Sequence, residues 1–294
     1  MTSPDSASRL PLPPLLAVLL SILSVTGGAA LAKSLFGALG AAGTAGLRIT
    51  LAALLLLAVF RPPVARLSGA QWRAVLPYGV TLGTMNLCFY LTISRIPLGL
   101  AITLEFLGPL TLAVLGSRHL KDFLWVVLAA VGVVLLAPWS GRADAIDPGG
   151  VLLALFAGVG WAGYILLGAR VSRLLPHGQG VAVGMGLAAL TALPFTVADL
   201  AAAHFTPMLL AKGLGVALLS SALPYTLEMR ALHALPSRTF GILMSIEPAS
   251  GALMGLLFLG ERLSVSQCVA IVCVSAASAG STLTSRKDRP PVEA

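Results

Sequence analysis

Apolar residues run along this chain in blocks of membrane-span length, broken by short connections that carry most of its Pro, Arg and Asp. The blocks cover residues 14–31, 41–60, 74–94, 97–116 and 122–139, and then 149–168, 179–198, 212–234, 236–259 and 264–284. A bilayer core about 30 Å thick is crossed by roughly 20 apolar residues of helix, so each block predicts one transmembrane helix. The expected fold is an all-α integral membrane protein of ten transmembrane helices with no sizeable soluble domain.

The longest polar connection, residues 140–148 with Arg142, Asp144 and Asp147, divides the spans into a first half, 1–140, and a second half, 149–285; residues 286–294 form a short basic tail. Pro97 and Pro109 in the fourth span recur as Pro236 and Pro248 in the ninth at one constant offset, which marks a repeat. Five spans per half is an odd number, so the second half enters the membrane from the opposite side. The expectation is two inverted five-helix repeats, an architecture common among secondary transporters.

Lys and Arg set orientation. With the N-terminus inside, 13 of the 19 fall on the cytoplasmic side: Arg9, Arg61, Arg66, Arg73, Arg118, Lys121, Arg170, Arg173, Arg230, Arg238, Arg286, Lys287 and Arg289. Lys33, Arg95, Arg142, Lys212 and Arg262 face the other way, and Arg48 lies within a span. Both termini are expected in the cytoplasm. Arg9, the apolar run after it and Ala30-Leu31-Ala32 imitate a signal peptide, but the run continues to span length and further spans follow.

Composition sharpens this picture. Residues are 57% hydrophobic and only 10% charged, with a mean hydropathy of +0.94, which excludes an ordinary water-soluble domain. The net charge of +8 comes from basic residues scattered singly between spans, not from a stripe or tail of the kind that binds nucleic acid. Cys88, Cys268 and Cys273 all sit in apolar runs and read as small buried hydrophobes, not as a disulfide or metal site. Catalytic signatures are missing: there is no zinc-binding His-Glu-x-x-His and no Gly-x-Ser-x-Gly elbow. Gly27 to Ser34 departs from a phosphate-binding loop at Ala32, so neither ATP-driven transport nor any cofactor is indicated.

An ionisable group in mid-membrane is costly and therefore a functional candidate. Glu105 lies in the middle of the fourth span and Glu247 in the middle of the ninth, where the repeat aligns it one helical turn from Glu105. Either acid can bind a proton or a substrate ammonium, or serve helix packing alone. Pro109 and Pro248 leave irregular backbone beside them, of the kind tolerated where it lines a cavity. Arg48 can hold a substrate carboxylate or pair with a glutamate. Glu228, two residues from Arg230, suits a local ion pair or a substrate contact. Asn86 with Tyr90, Trp161 with Tyr164, and Tyr225 with Glu228 share helix faces at i, i+3 or i, i+4 and complete the candidate set. Glu261, at a span end, reads as a cap or loop ion pair.

Three strings go beyond this physics: Pro97-Leu-Gly-Leu-Ala-Ile-Thr-Leu-Glu-Phe-Leu-Gly-Pro109, Ala222-Leu-Pro-Tyr-Thr-Leu-Glu-Met229 and Arg238-Thr-Phe-Gly-Ile-Leu-Met-Ser-Ile-Glu-Pro248. They resemble the threonine/homoserine exporter subgroup of the EamA-type drug/metabolite transporter superfamily, and the likeness runs through nearly the whole chain. The resemblance implies two five-helix repeats and export of small amino acids such as threonine or homoserine from the bacterial cytoplasm. Secondary transport across the inner membrane with proton exchange is the expected mode. Export of drugs or other metabolites is the rival within transport; a membrane-embedded enzyme is the rival outside it, and the sequence supplies that rival no nucleophile and base.

Overall fold

The structure is a computed structural model and describes residues 13–115, 121–136, 147–175, 178–224, 227–228, 231 and 243–284. Every regular element among them is helical. In chain order these are α1 (Pro14–Lys33), α2 (Phe36–Phe60), α3 (Gly69–Ile93), α4 (Leu98–Glu105), α5 (Leu107–Leu115), α6 (Lys121–Leu136), α7 (Pro148–Leu174), α8 (Gln179–Ala202), α9 (Pro207–Ala217), α10 (Glu247–Leu259) and α11 (Val265–Thr284). A 3-10 turn, Val64–Arg66, follows α2, and α9 runs on into a π-helical segment, Leu218–Ala222.

Local chemistry explains the ends. Ser68 and Gln71 form a reciprocal capping box at the start of α3. Asp147 accepts from Gly149 N ahead of Pro148, and Thr206 accepts from Leu209 N ahead of Pro207. The α2 helix stops at Arg61, which takes a left-handed conformation (φ 42°) before Pro62 and Pro63, and Gly260 (φ 66°) closes α10. Sequence and structure differ most at α2, which begins at Phe36 but carries non-helical Gly40 (φ 66°, ψ 171°). The block expected to start at residue 41 is the part after this kink, where Asp199 of α8 accepts from Gly43 N at 3.1 Å.

Six helices, α1, α2, α3, α7, α8 and α11, are long and apolar enough to cross a membrane. Other expected spans are interrupted: α4 and α5 part at Phe106, α9 passes into the π segment, and α10 begins after a turn at Ser245 and Ile246. Two breaks accompany prolines, since Pro109 and Pro248 have no N–H for the carbonyls four residues back, those of Glu105 and Met244. The outward surface is apolar, with Leu54, Leu152, Phe156, Leu190, Phe258 and Val265 exposed. A belt of this kind suits lipid, not water. Cys88 is buried as expected; Cys268, expected to be buried, is exposed on α11, whose face there packs against no other described residues, and Cys273 is intermediate.

Small residues bring the inner helices close. A Cβ on Gly158 of α7 would stand 2.8 Å from the carbonyl oxygen of Glu105, and one on Gly108 would collide with the Gly158 carbonyl. On the other side of the bundle, a Cβ on Gly99 of α4 would meet Ala252 Cα of α10 at 2.6 Å. Dispersion and close backbone approach replace the hydrophobic effect in such helix contacts. The result is a chain whose interrupted helices α4 and α10 cross in the interior, each with a glutamate at its break.

Candidate functional site

A cavity of about 130 Å³ opens at these breaks. Eight of the nine residues singled out in the sequence line it: Arg48, Asn86, Tyr90, Glu105, Trp161, Tyr164, Glu228 and Glu247. Tyr225, the ninth, lies outside the described residues, as does Arg230. Helices α2, α3, α4, α7 and α10 each contribute at least one of these side chains.

Arg48 is 5% exposed and organises one wall. Its Nη1 donates to Asn86 Oδ1 at 2.7 Å, its Nη2 to Ser221 Oγ at 3.1 Å and to the Ser220 carbonyl at 3.4 Å, and its Nε to Ser221 Oγ at 3.4 Å. Asn86 is held in turn by donating through Nδ2 to Leu82 O at 2.8 Å. The guanidinium carbon lies 5.3 Å from the centre of the Tyr90 ring, within cation–π range. Among the described residues Arg48 makes no ion pair with a glutamate, so of the two roles open to it in sequence, pairing with an acid is not the one adopted here. A guanidinium carries five N–H groups and four of the possible bonds are used. Among the described residues one donor on Nη1 remains for an incoming anion; two-point binding would have to displace Asn86 or Ser221.

The π segment makes this cradle. A π turn carries one extra residue per hydrogen-bonded ring, and such bulges concentrate at functional sites. Here it presents the Ser220 carbonyl and the Ser221 hydroxyl to the same guanidinium. Neither serine was singled out in the sequence, because Ser in a membrane helix ordinarily bonds its own backbone and a π turn has no residue signature. Thr26, Ser21 and Ser250 were missed for the same reason; Thr26 and Ser250 hydroxyls lie 2.9 Å apart between α1 and α10.

The acids face the cavity from other sides. Glu105 ends α4 and Glu247 begins α10, and each is 7% exposed. Glu247 Oε2 is fully enclosed without a hydrogen-bond partner among the described residues. Glu228 accepts from Ser21 Oγ of α1 at 2.5 Å; the local pairing with Arg230 that its sequence position suggested lies outside the described residues. The three carboxyls are spread around the cavity and do not converge as metal ligands would. Trp161 is set edge-on to Phe106 with centroids 5.4 Å apart, and Tyr164 stacks on Tyr78 at 5.3 Å, which fixes the aromatic wall from α7. Glu261 lies away from the cavity: it pairs with Lys33 at 2.5 Å and accepts from Leu98 N at 2.8 Å, capping α4.

An interior cavity holding one guanidinium and several carboxyls, enclosed by apolar membrane helices, defines a membrane transport protein and not a soluble enzyme. Residues 148–283 match the EamA-like transporter family. The threonine/homoserine exporter RhtA of Escherichia coli strain K12 is 46% identical over 287 residues, 97% of each chain, as is its namesake in Salmonella typhimurium strain LT2. A transporter of Bacillus subtilis strain 168, YwfM, named as uncharacterized, is 31% identical over 200 residues, 67% of this chain and 63% of its own. One solved crystal structure shares the fold at 19% identity, with a TM-score of 0.60 over 91% of this chain and 96% of the other. The chain belongs to the EamA-like transporter family, in its threonine/homoserine exporter subgroup.

Proposed function

We propose that this protein exports small amino acids of the threonine and homoserine type across the bacterial inner membrane. The single observation that carries the reading is the cavity itself, where Arg48 and the carboxyls of Glu105, Glu228 and Glu247 stand around one space. An amino acid carries a carboxylate and an ammonium, and this wall offers a free guanidinium donor to the first and acid groups to the second. Trp161 and Tyr164 supply an apolar face for its carbon chain. The names of the RhtA relatives favour the same cargo over drugs.

Transport proceeds by alternating access between two inverted halves, driven by proton exchange. The packing pattern supports two related halves: α2 pairs with α8, α6 with α11 and α4 with α10, each a pair of equivalent spans under the repeat. The pairing of α3 with α7 has its counterpart in that of α1 with α9 and the π segment. A carboxyl that binds either a proton or the cargo ammonium, but not both, links outward cargo movement to inward proton movement. Both termini are cytoplasmic in this scheme.

The test is reconstitution of the full chain in liposomes loaded with labelled threonine or homoserine. Release that accelerates when the proton gradient is imposed is the expected result. No release of either amino acid from vesicles shown to contain folded protein would move the reading to another metabolite.

A further inference from the structure

Glu228 differs from the other two acids of the cavity. Ser21 occupies its Oε1, which fixes the carboxylate in place, while among the described residues its Oε2 accepts nothing. Glu105 and Glu247 are more deeply buried, on the two broken helices, and Glu247 Oε2 is enclosed and unpartnered while the residue lines the cavity. Around that space stand three carboxyls and one guanidinium among the described residues, and a cargo with a second ammonium offers Glu228 a charged donor where a hydroxyl offers a neutral one.

We propose that the cavity also takes short diamino acids, with the α-carboxylate on Arg48, the α-ammonium between Glu105 and Glu247, and the side-chain ammonium on Glu228 Oε2. This substrate class extends the amino-acid reading above and rests on it. The diamino acid that keeps the homoserine skeleton is 2,4-diaminobutyrate, which places an ammonium where homoserine has its hydroxyl. A charge-assisted hydrogen bond is roughly twice as strong as a neutral one. An apolar chain of equal length, norvaline, leaves the fixed carboxylate without a donor, and sites built around a polar side-chain contact reject such analogues strongly.

The experiment is homoserine counterflow in proteoliposomes of the full chain, with each unlabelled compound as competitor, beside thermal shifts of the purified protein with the same compounds. Diaminobutyrate is expected to compete at least as well as homoserine, and norvaline about ten- to a hundredfold less well. Glu228→Gln is expected to lower the preference for diaminobutyrate over homoserine by about tenfold or more, and Glu228→Asp to recover part of it. Diaminobutyrate competing no better than norvaline, or a preference unchanged in Glu228→Gln, overturns the proposal. The two readings fail separately: absent homoserine counterflow removes the exporter reading, whereas absent stabilisation by diaminobutyrate in a protein that does carry homoserine removes only this one.

Discussion

Replacing Glu247 with Gln keeps the shape of the side chain and its capacity to accept a hydrogen bond, but it removes charge and titration together. Glu247 makes no ion pair among the described residues and its Oε2 has no partner, so the substitution removes no fixed contact and should cost at most about 1 kcal/mol of stability. An ammonium bound to a carboxylate gains about 1.5–3 kcal/mol, against about 0.5–1.5 kcal/mol with a neutral acceptor. The difference of about 1–2 kcal/mol predicts an apparent affinity for cargo roughly five- to thirtyfold weaker. Loss of the proton site has a different signature. Homoserine exchange between equal pools needs no proton and should persist in Glu247→Gln at higher concentration, whereas gradient-driven accumulation should vanish. Glu105→Gln, at the matching break, should behave alike. Both modes are measured in the same proteoliposomes, with and without an imposed pH gradient. Gradient-driven export at wild-type rate and with wild-type pH dependence in both variants would refute the reasoning and leave these acids with a packing role.

Gly158→Ala should destabilise the protein by about 1–3 kcal/mol and depress transport, because its Cβ meets the Glu105 backbone at 2.8 Å, whereas Gly37→Ala, with nothing within 4 Å, should be neutral or slightly stabilising; thermal unfolding in detergent compares them. Glu261→Ala removes both the Lys33 contact and the cap on Leu98 N, and an unfolding free energy lower by about 1–2 kcal/mol is expected with little change in cargo selectivity. A reporter active only outside the cytoplasm should be silent when fused after Thr284 and active when inserted between Arg142 and Asp147; the opposite pattern rejects the orientation drawn from the basic residues.

Six of the expected spans and most of the cavity's charged and aromatic lining were legible in the sequence, and for a common reason. A run of apolar residues long enough to cross a bilayer is a local property, and so is the cost of placing Glu105, Glu247 or Arg48 inside one. No knowledge of neighbours is needed to see either. The proline positions also signalled broken backbone, although not that α4 would restart after Phe106 or that α2 would kink at Gly40. Those details depend on what lies across the contact: Gly40 and Gly43 sit against Asp199, a residue 156 positions from Gly43.

Which residues meet across the bundle is settled by the fold. Arg48 had two roles open to it in sequence, and the fold occupies it with Asn86, the Ser220 carbonyl and Ser221, the last 173 residues away. Glu228 meets Ser21, 207 residues distant, because α1 packs against the π segment that leads into it. Serine and threonine in membrane helices bond their own carbonyls by default, as Thr92 and Thr103 do here, so the same residue type carries no mark of the exceptions. Burial from water is written residue by residue along the chain, whereas a hydrogen bond between distant helices depends on crossing geometry, set here by glycines such as Gly99, Gly108 and Gly158 that let the backbones touch.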